Sequence, residues 1–193
     1  MNQTDAMARA ARAKKVTWVG FWVNVVLSVA KIIAGIVGRS GAMIADGVHS
    51  ISDFVTDIIV IVFIGVSAKG ENTRFRYGHG KFETFATMLI SFALFAVAVG
   101  LFWTSFSQIV DALNGKVLPR PEMVALVMAF VSVVAKEWLF HYTRVAGEQM
   151  NSMALVANAW HHRSDAFSSI AVLVGIGCAM FLGERWRVLD PIA

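Results

Sequence analysis

The sequence predicts an all-α polytopic membrane protein, and three observations carry that prediction. The 193-residue chain is 57% hydrophobic and only 16% charged, whereas a soluble domain seldom exceeds about half apolar. The apolar residues gather into five stretches, roughly 16–38, 41–67, 82–110, 123–142 and 152–182, each near or above the ~20 residues that span a bilayer. The basic residues alternate in density from one connecting segment to the next. Too little chain remains for a soluble domain of ordinary size.

The alternation fixes an orientation. Arg9, Arg12, Lys14 and Lys15 precede the first stretch, Lys69, Arg74, Arg76 and Lys81 fill the loop after the second, and Arg144 follows the fourth. The opposite loops hold Arg39, Lys116, Arg120, Arg185 and Arg187. Nine against five puts residues 1–15 and the 68–81 loop in the cytoplasm by the positive-inside rule, and the expected location is a bacterial inner (cytoplasmic) membrane. The formal net charge of +4 is therefore a topology signal, and no nucleic-acid partner is expected. Residues 1–15 are basic, but no cleavage site follows them, so the first stretch reads as an uncleaved helix. The single Cys178 excludes an internal disulfide or a thiolate metal cluster within one chain.

The second span is anomalous. It contains ADGVHSISDFVTD (45–57), with Asp46, His49, Asp53 and Asp57 set among hydrocarbon. The fifth span answers it with ANAWHHRSDAFSS (157–169), aligned without a gap at an offset of 112. Ala45/Ala157, His49/His161, Ser52/Ser164 and Asp53/Asp165 are identical. Upstream, VVLSVAK (25–31) loosely mirrors FVSVVAK (130–136). By the charge count the second and fifth spans cross the membrane in opposite senses, which is the inverted repeat on which many secondary transporters are built. Three plus three helices predict a six-helix bundle of which five spans are present. Residues 183–193 read as an outer, periplasmic segment leading toward the sixth, so the chain is expected to be a fragment or a naturally short form.

At about 100° per residue, Asp46, Asp53 and Asp57 lie within ~80° of His49, on one stripe of the second helix. Asn158, His161, Asp165, Ser168 and Ser169 cover a comparable arc of the fifth, with His162 toward its edge. An ionisable group at the bilayer centre costs at least ~2.5 kcal/mol on insertion scales, so matched groups on two helices need a shared benefit. Two facing H-x-x-x-D pairs, His49 with Asp53 and His161 with Asp165, offer two imidazoles and two carboxylates, a donor set suited to tetrahedral Zn²⁺. Ca²⁺ or Mg²⁺ would want more oxygens; Fe²⁺, Co²⁺, Cd²⁺ and Mn²⁺ stay open as substrates. Asp46, Asp57 and Asn158 flank these four, as neighbours supporting the site or lining the way to it.

SGAMIADGVHSISDFVTD, RYGHGKFET and ALVANAWHHRSDAFSSI together resemble the cation diffusion facilitator family, over nearly the whole chain. The resemblance implies proton-coupled export of zinc and related divalent metals. It carries the transport site to His49, Asp53, His161 and Asp165, and His at position 49 leans toward zinc. Some members hold a second metal in the loop between spans 2 and 3; here His79 matches one ligand while Asn72 and Phe75 stand where the others belong, so that site is expected to be lost. The family also implies a cytoplasmic domain and a homodimer in the full-length form, with Lys81 matching a position that forms inter-helix salt bridges.

The expected mechanism is alternating access, in which metal binds deprotonated His49, Asp53, His161 and Asp165 from the cytoplasm and protons discharge it on the other side. Histidine suits that exchange because its ordinary pKa lies near 6.5. The metal is substrate, and no prosthetic group is expected. Other polar residues of the spans receive plainer readings: Lys31 snorkels toward the outer interface, Lys136–His141 forms an interfacial cap at the cytoplasmic end of span 4, and Trp160, Gly35, Gly38, Gly41 and Gly47 serve packing. No nucleophile–base arrangement points to an enzyme. The alternative is a truncated, non-transporting metal-binding or sensor subunit of the same fold.

Overall fold

The computed structural model describes residues 3–52, 54 and 80–193. Asp53, Asp57, Asn72, Phe75 and His79 lie outside the described residues, as does the side chain of Lys81. The described chain is helical throughout apart from short turns, with no strand among the described residues. Helix α1 covers Gln3–Val37; α2 is helical over 41–52; α3 covers Gly80–Leu113, α4 Met123–Gln149 and α5 Met153–Phe181. A 3-10 turn, Glu184–Val188, and a short α6, Leu189–Ile192, follow. Four described helices are long and apolar enough to cross a membrane, over Lys15–Val37, Ser91–Leu113, Met123–Gln149 and Leu155–Phe181.

Helix α4 packs between α5 and α1. It runs antiparallel to α1, because Glu122, at its start, donates its N–H to the carbonyl of Gly38 at the end of α1 (2.8 Å). At the opposite end Val16 of α1 packs with Ala146 of α4 and Leu155 of α5. Alternating sense along the membrane is what the loop charges predict. Among the described residues, helix α3 has no buried residue in its spanning stretch Ser91–Leu113 and meets the rest through α6 and the 3-10 turn.

The repeat is sharper in the backbone than in the sequence. Helix α1 ends on Arg39 at φ 50° and α4 on Asn151 at φ 49°. In each hairpin the next residue is a serine whose N–H reaches back five residues to a glycine carbonyl: Ser40 to Gly35 (3.0 Å) and Ser152 to Gly147 (2.9 Å). The left-handed residues also donate three residues back, Arg39 to Ile36 and Asn151 to Glu148. That pattern is a Schellman C-cap, and each serine then N-caps the following helix, accepting from Met43 N–H (3.1 Å) and Leu155 N–H (3.4 Å). Gly35 and Gly147 are required by close approach, since a Cβ would lie 2.8 Å from the backbone nitrogen of Ile44 and 3.0 Å from that of Val156. Every one of these pairs keeps the offset of 112.

This register corrects one expectation. VVLSVAK and FVSVVAK pair Lys31 with Lys136 at an offset of 105, one heptad away from the structural offset. Seven residues are nearly two helical turns, so the slipped alignment preserves the apolar face and looks equally good in sequence. In the hairpin register Lys136 corresponds to Asn24, and Lys31 to Thr143.

The bundle has two apolar plugs. Near the α1–α2 turn, Ala34, Ala42, Met43, Ala125, Ala129, Val172, Ile176 and Met180 form one cluster. Near the α4–α5 turn, Val16, Ala146 and Leu155 form the other. Between them the helices bury polar and charged residues as well, among them Lys31, Asp46, Ser132, Lys136 and Ser169.

Candidate metal centre

The polar layer is built by side chains near the middle of their helices. Asp165 is the thirteenth of the 29 residues of α5, and Lys136 the fourteenth of the 27 residues of α4. The Lys136 ammonium lies 2.7 Å from Asp165 Oδ2, with only 4% and 13% of the two side chains exposed. It also donates to Asn24 Oδ1 of α1 at 2.9 Å. His161, one turn before Asp165, places Nε2 3.9 Å from the same Oδ2. This i, i+4 spacing puts both groups on one face, and the imidazole is half exposed where the carboxylate is nearly covered. A metal ion approaching Asp165 from the His161 side would meet both donors.

A second buried pair lies beside it. The Lys31 ammonium sits 2.8 Å from Asp46 Oδ2, with 1% and 4% of the side chains exposed. It donates to Ser50 Oγ (3.2 Å) and Ser169 Oγ (3.3 Å) as well. Ser169 donates to Asp46 Oδ2 and shares a hydrogen bond with Ser132 of α4 (3.2 Å). The four helices α1, α2, α4 and α5 are thus tied by polar contacts across the centre of the bundle.

The predicted site residues divide as follows. His161 and Asp165 come together in this layer. His49 is on the exposed part of α2, while its expected partner Asp53 lies outside the described residues, so the four-ligand set is not assembled on the described residues. No group of three or more His, Cys, Asp or Glu side chains suited to a metal occurs among the described residues. Asp46 is taken up by Lys31 and Ser169. Asn158 Nδ2 lies 3.4 Å from Nε2 of His162, a histidine that is 2% exposed and packed toward Gly20. Asp57 lies outside the described residues.

Two plainer expectations are overturned. Lys31 does not snorkel, because Asp46 and two hydroxyls satisfy it inside the bundle. Lys136 is not at an interface: α4 continues to Gln149, seven residues past the expected end, which moves Lys136 to the helix centre. Glu137 and His141 do sit on an exposed face, 3.3 Å apart. Lys136 and Asn24 are the residues in contact with the Asp165 pair to which no part in the site was given. The signal for Lys136 was present, since a charge inside a span faces the bundle interior and pairs there, but it needed the correct helix end. Trp160 packs edge-on against Phe140 (5.4 Å), and the Arg163 guanidinium covers both rings, in keeping with a packing role.

The cation efflux transmembrane domain matches residues 17–193. The chain belongs to the cation efflux family. Mitochondrial metal transporter 1 of Saccharomyces cerevisiae is 34% identical over 185 residues, covering 84% of this chain and 36% of the yeast protein. Metal tolerance protein C1 of Arabidopsis thaliana is 36% identical over 195 residues, covering 93% and 40%. Manganese efflux system protein MneP of Bacillus subtilis is 33% identical over 192 residues, covering 97% and 63%. This cation efflux chain therefore spans between 36% and 63% of the length of these relatives.

Proposed function

We propose that the chain is the membrane part of a divalent-cation exporter that exchanges metal for protons by alternating access. The observation that carries this reading is the His161–Asp165 pair, set in a polar layer between two apolar plugs. In this reading the helices rock about that layer and open it to one side of the membrane at a time, which is the geometry alternating access needs. His49, Asp53, His161 and Asp165 hold the ion in this reading. Their two nitrogens and two carboxylates favour Zn²⁺, while the manganese efflux named for the Bacillus subtilis relative keeps Mn²⁺ beside it as a substrate. Metal and protons compete for the same deprotonated groups, so a proton gradient drives the cycle. The N-terminus faces the cytoplasm of an energised membrane, and the full-length protein works as a homodimer. The chain is not an enzyme in this reading, because the site binds and releases its ion without making or breaking a covalent bond.

The test is metal uptake into proteoliposomes under an imposed pH gradient, comparing the full chain with Asp53→Ala and Asp165→Ala. Uptake that depends on the gradient and is lost in both variants is expected. Uptake unchanged by both substitutions would remove the site assignment. Metal binding without uptake would favour a sensor or accessory subunit over an exporter.

A further inference from the structure

We propose that Lys136 is a tethered cation that occupies Asp165 in the absence of metal and that the metal must displace. The proposal rests on the assignment of Asp165 to the transport site. Its first support is the placement of charge. The ammonium is bound at 2.7 Å to the carboxylate oxygen nearer His161, Oδ2, which also lies 3.9 Å from His161 Nε2. A metal shared by His161 and Asp165 therefore competes for an oxygen that already holds a cation.

The second support is the provision for letting go. An ammonium has three N–H donors. Among the described residues Lys136 uses one on Asp165 and one on the Asn24 amide oxygen, so it keeps a neutral anchor 2.9 Å away when it leaves the carboxylate. Lys31, by contrast, has an aspartate and two serines around it and nowhere to go. The third support is the register of the repeat. Asn24 is the counterpart of Lys136 in the other hairpin, so the charge is supplied by one half and its resting place by the other, where the two halves meet.

The physical consequence concerns the site before metal arrives. An uncompensated carboxylate inside a span is costly; with Lys136 seated, the deprotonated Asp165 is neutralised until a metal replaces it. Lys136 sets a threshold that an incoming cation has to exceed, which favours a dication held by several donors over a monovalent ion.

The experiment is Zn²⁺ titration by calorimetry of the purified full chain in lipid nanodiscs at pH 8, where protons compete least. Lys136→Gln keeps a hydrogen bond to Asn24 but removes the charge, and it is expected to tighten Zn²⁺ binding by roughly tenfold, within the usual range for coupled sites. Lys136→Arg is expected to weaken binding, because a forked guanidinium grips both carboxylate oxygens. A lysine with only a structural role would loosen the site on removal, so unchanged or weaker binding in Lys136→Gln overturns the proposal. Where Lys136→Gln does not fold, Lys136→Arg decides, and an unchanged affinity there overturns it. Asp165→Ala is the control that separates the two levels: binding abolished in Asp165→Ala but indifferent to Lys136 rejects the tethered cation alone, and binding unaffected by Asp165→Ala rejects the site itself.

Discussion

Two lysine–aspartate pairs lie buried at the centre of this bundle, and they differ in what surrounds them. Lys31 and Asp46 form a closed unit. All three donors of Lys31 are used, the pair is at most 4% exposed, and Ser169 links it to Ser132 on a fourth helix. Lys136 and Asp165 form an open unit, with a carboxylate leaning toward a half-exposed histidine and a neutral amide as the other partner. A closed pair holds helices in register and tolerates no exchange. An open pair can trade one cation for another. Nearly equal Lys–Asp distances, 2.8 and 2.7 Å, thus go with different surroundings, and it is the remaining hydrogen-bond partners that tell the pairs apart.

The comparison is broken most directly at the closed pair. Removing one member of a buried ion pair leaves an unpaired charge and costs about 3–5 kcal/mol, whereas replacing both by apolar residues is often neutral. Lys31→Met and Asp46→Leu alone are each expected to lower stability by that order in unfolding measurements in bicelles, and the double variant to recover most of it. The double variant should also keep its affinity for Zn²⁺. A folded double variant that no longer binds metal would show that the closed pair belongs to the site, and the distinction drawn here would fail.

The two hairpins permit a finer test. Both turns use the same cap, but the space left for a side chain differs. A Cβ at Gly35 would meet Ile44 Cγ1 at 2.7 Å and its backbone nitrogen at 2.8 Å, while at Gly147 the nearest atoms of Val156 lie at 3.0 Å. Backbone cannot yield as a side-chain tip can, and overpacking costs about 1–3 kcal/mol. Gly35→Ala is expected near the top of that range and Gly147→Ala near the bottom, read as a difference in melting temperature. Equal losses would mean that the two turns relax alike despite the different clearances.

Much of this architecture was legible before any coordinates. Hydrocarbon runs announce α1, α3, α4 and α5, because only a helix satisfies its backbone in lipid. Their ends were less visible. Helix α4 leaves the apolar region through Thr143–Gln149, where Arg144 and Glu148 pair across one turn (2.8 Å); hydropathy registers the oily part of a helix and not its aqueous extension. That error of nearly two turns sufficed to turn a central lysine into an interfacial one. The nearness of His161 and Asp165 follows from their spacing, a local property. Lys136 and Asn24 were missed because their partners lie 29 and 112 residues away, and nothing in a helical wheel reports a neighbour on another helix. The repeat itself was seen, but a heptad slip is invisible to apolar pattern and was resolved only by the matching caps at Arg39–Ser40 and Asn151–Ser152.

The smallest expected effect lies at the other kind of polar contact, outside the spans. Asp190 of α6 accepts from Ser40 Oγ (2.5 Å) and from the N–H of Gly41 (2.7 Å), so the last helix of the chain reinforces the N-cap of α2. Burial pushes its carboxyl above the ordinary carboxylate value, against the downward pull of Ser40 and the backbone N–H groups of Gly41 and Ala42. A carboxyl raised in the folded state stabilises that state fully below its unfolded value of 3.8, and the contribution is lost as pH rises through the raised value. The acid limb of the stability curve should therefore carry a decline with rising pH that belongs to this residue. Asp190→Asn, which stays neutral at every pH and still accepts one hydrogen bond, is expected to flatten it. Asp190→Ala should lose about 1 kcal/mol of cap at all pH values, as N-cap truncations do. Thermal unfolding of the three proteins between pH 3 and pH 7 checks the sign: a wild-type stability that rises with pH at Asp190, relative to Asp190→Asn, would mean that its hydrogen bonds outweigh its burial.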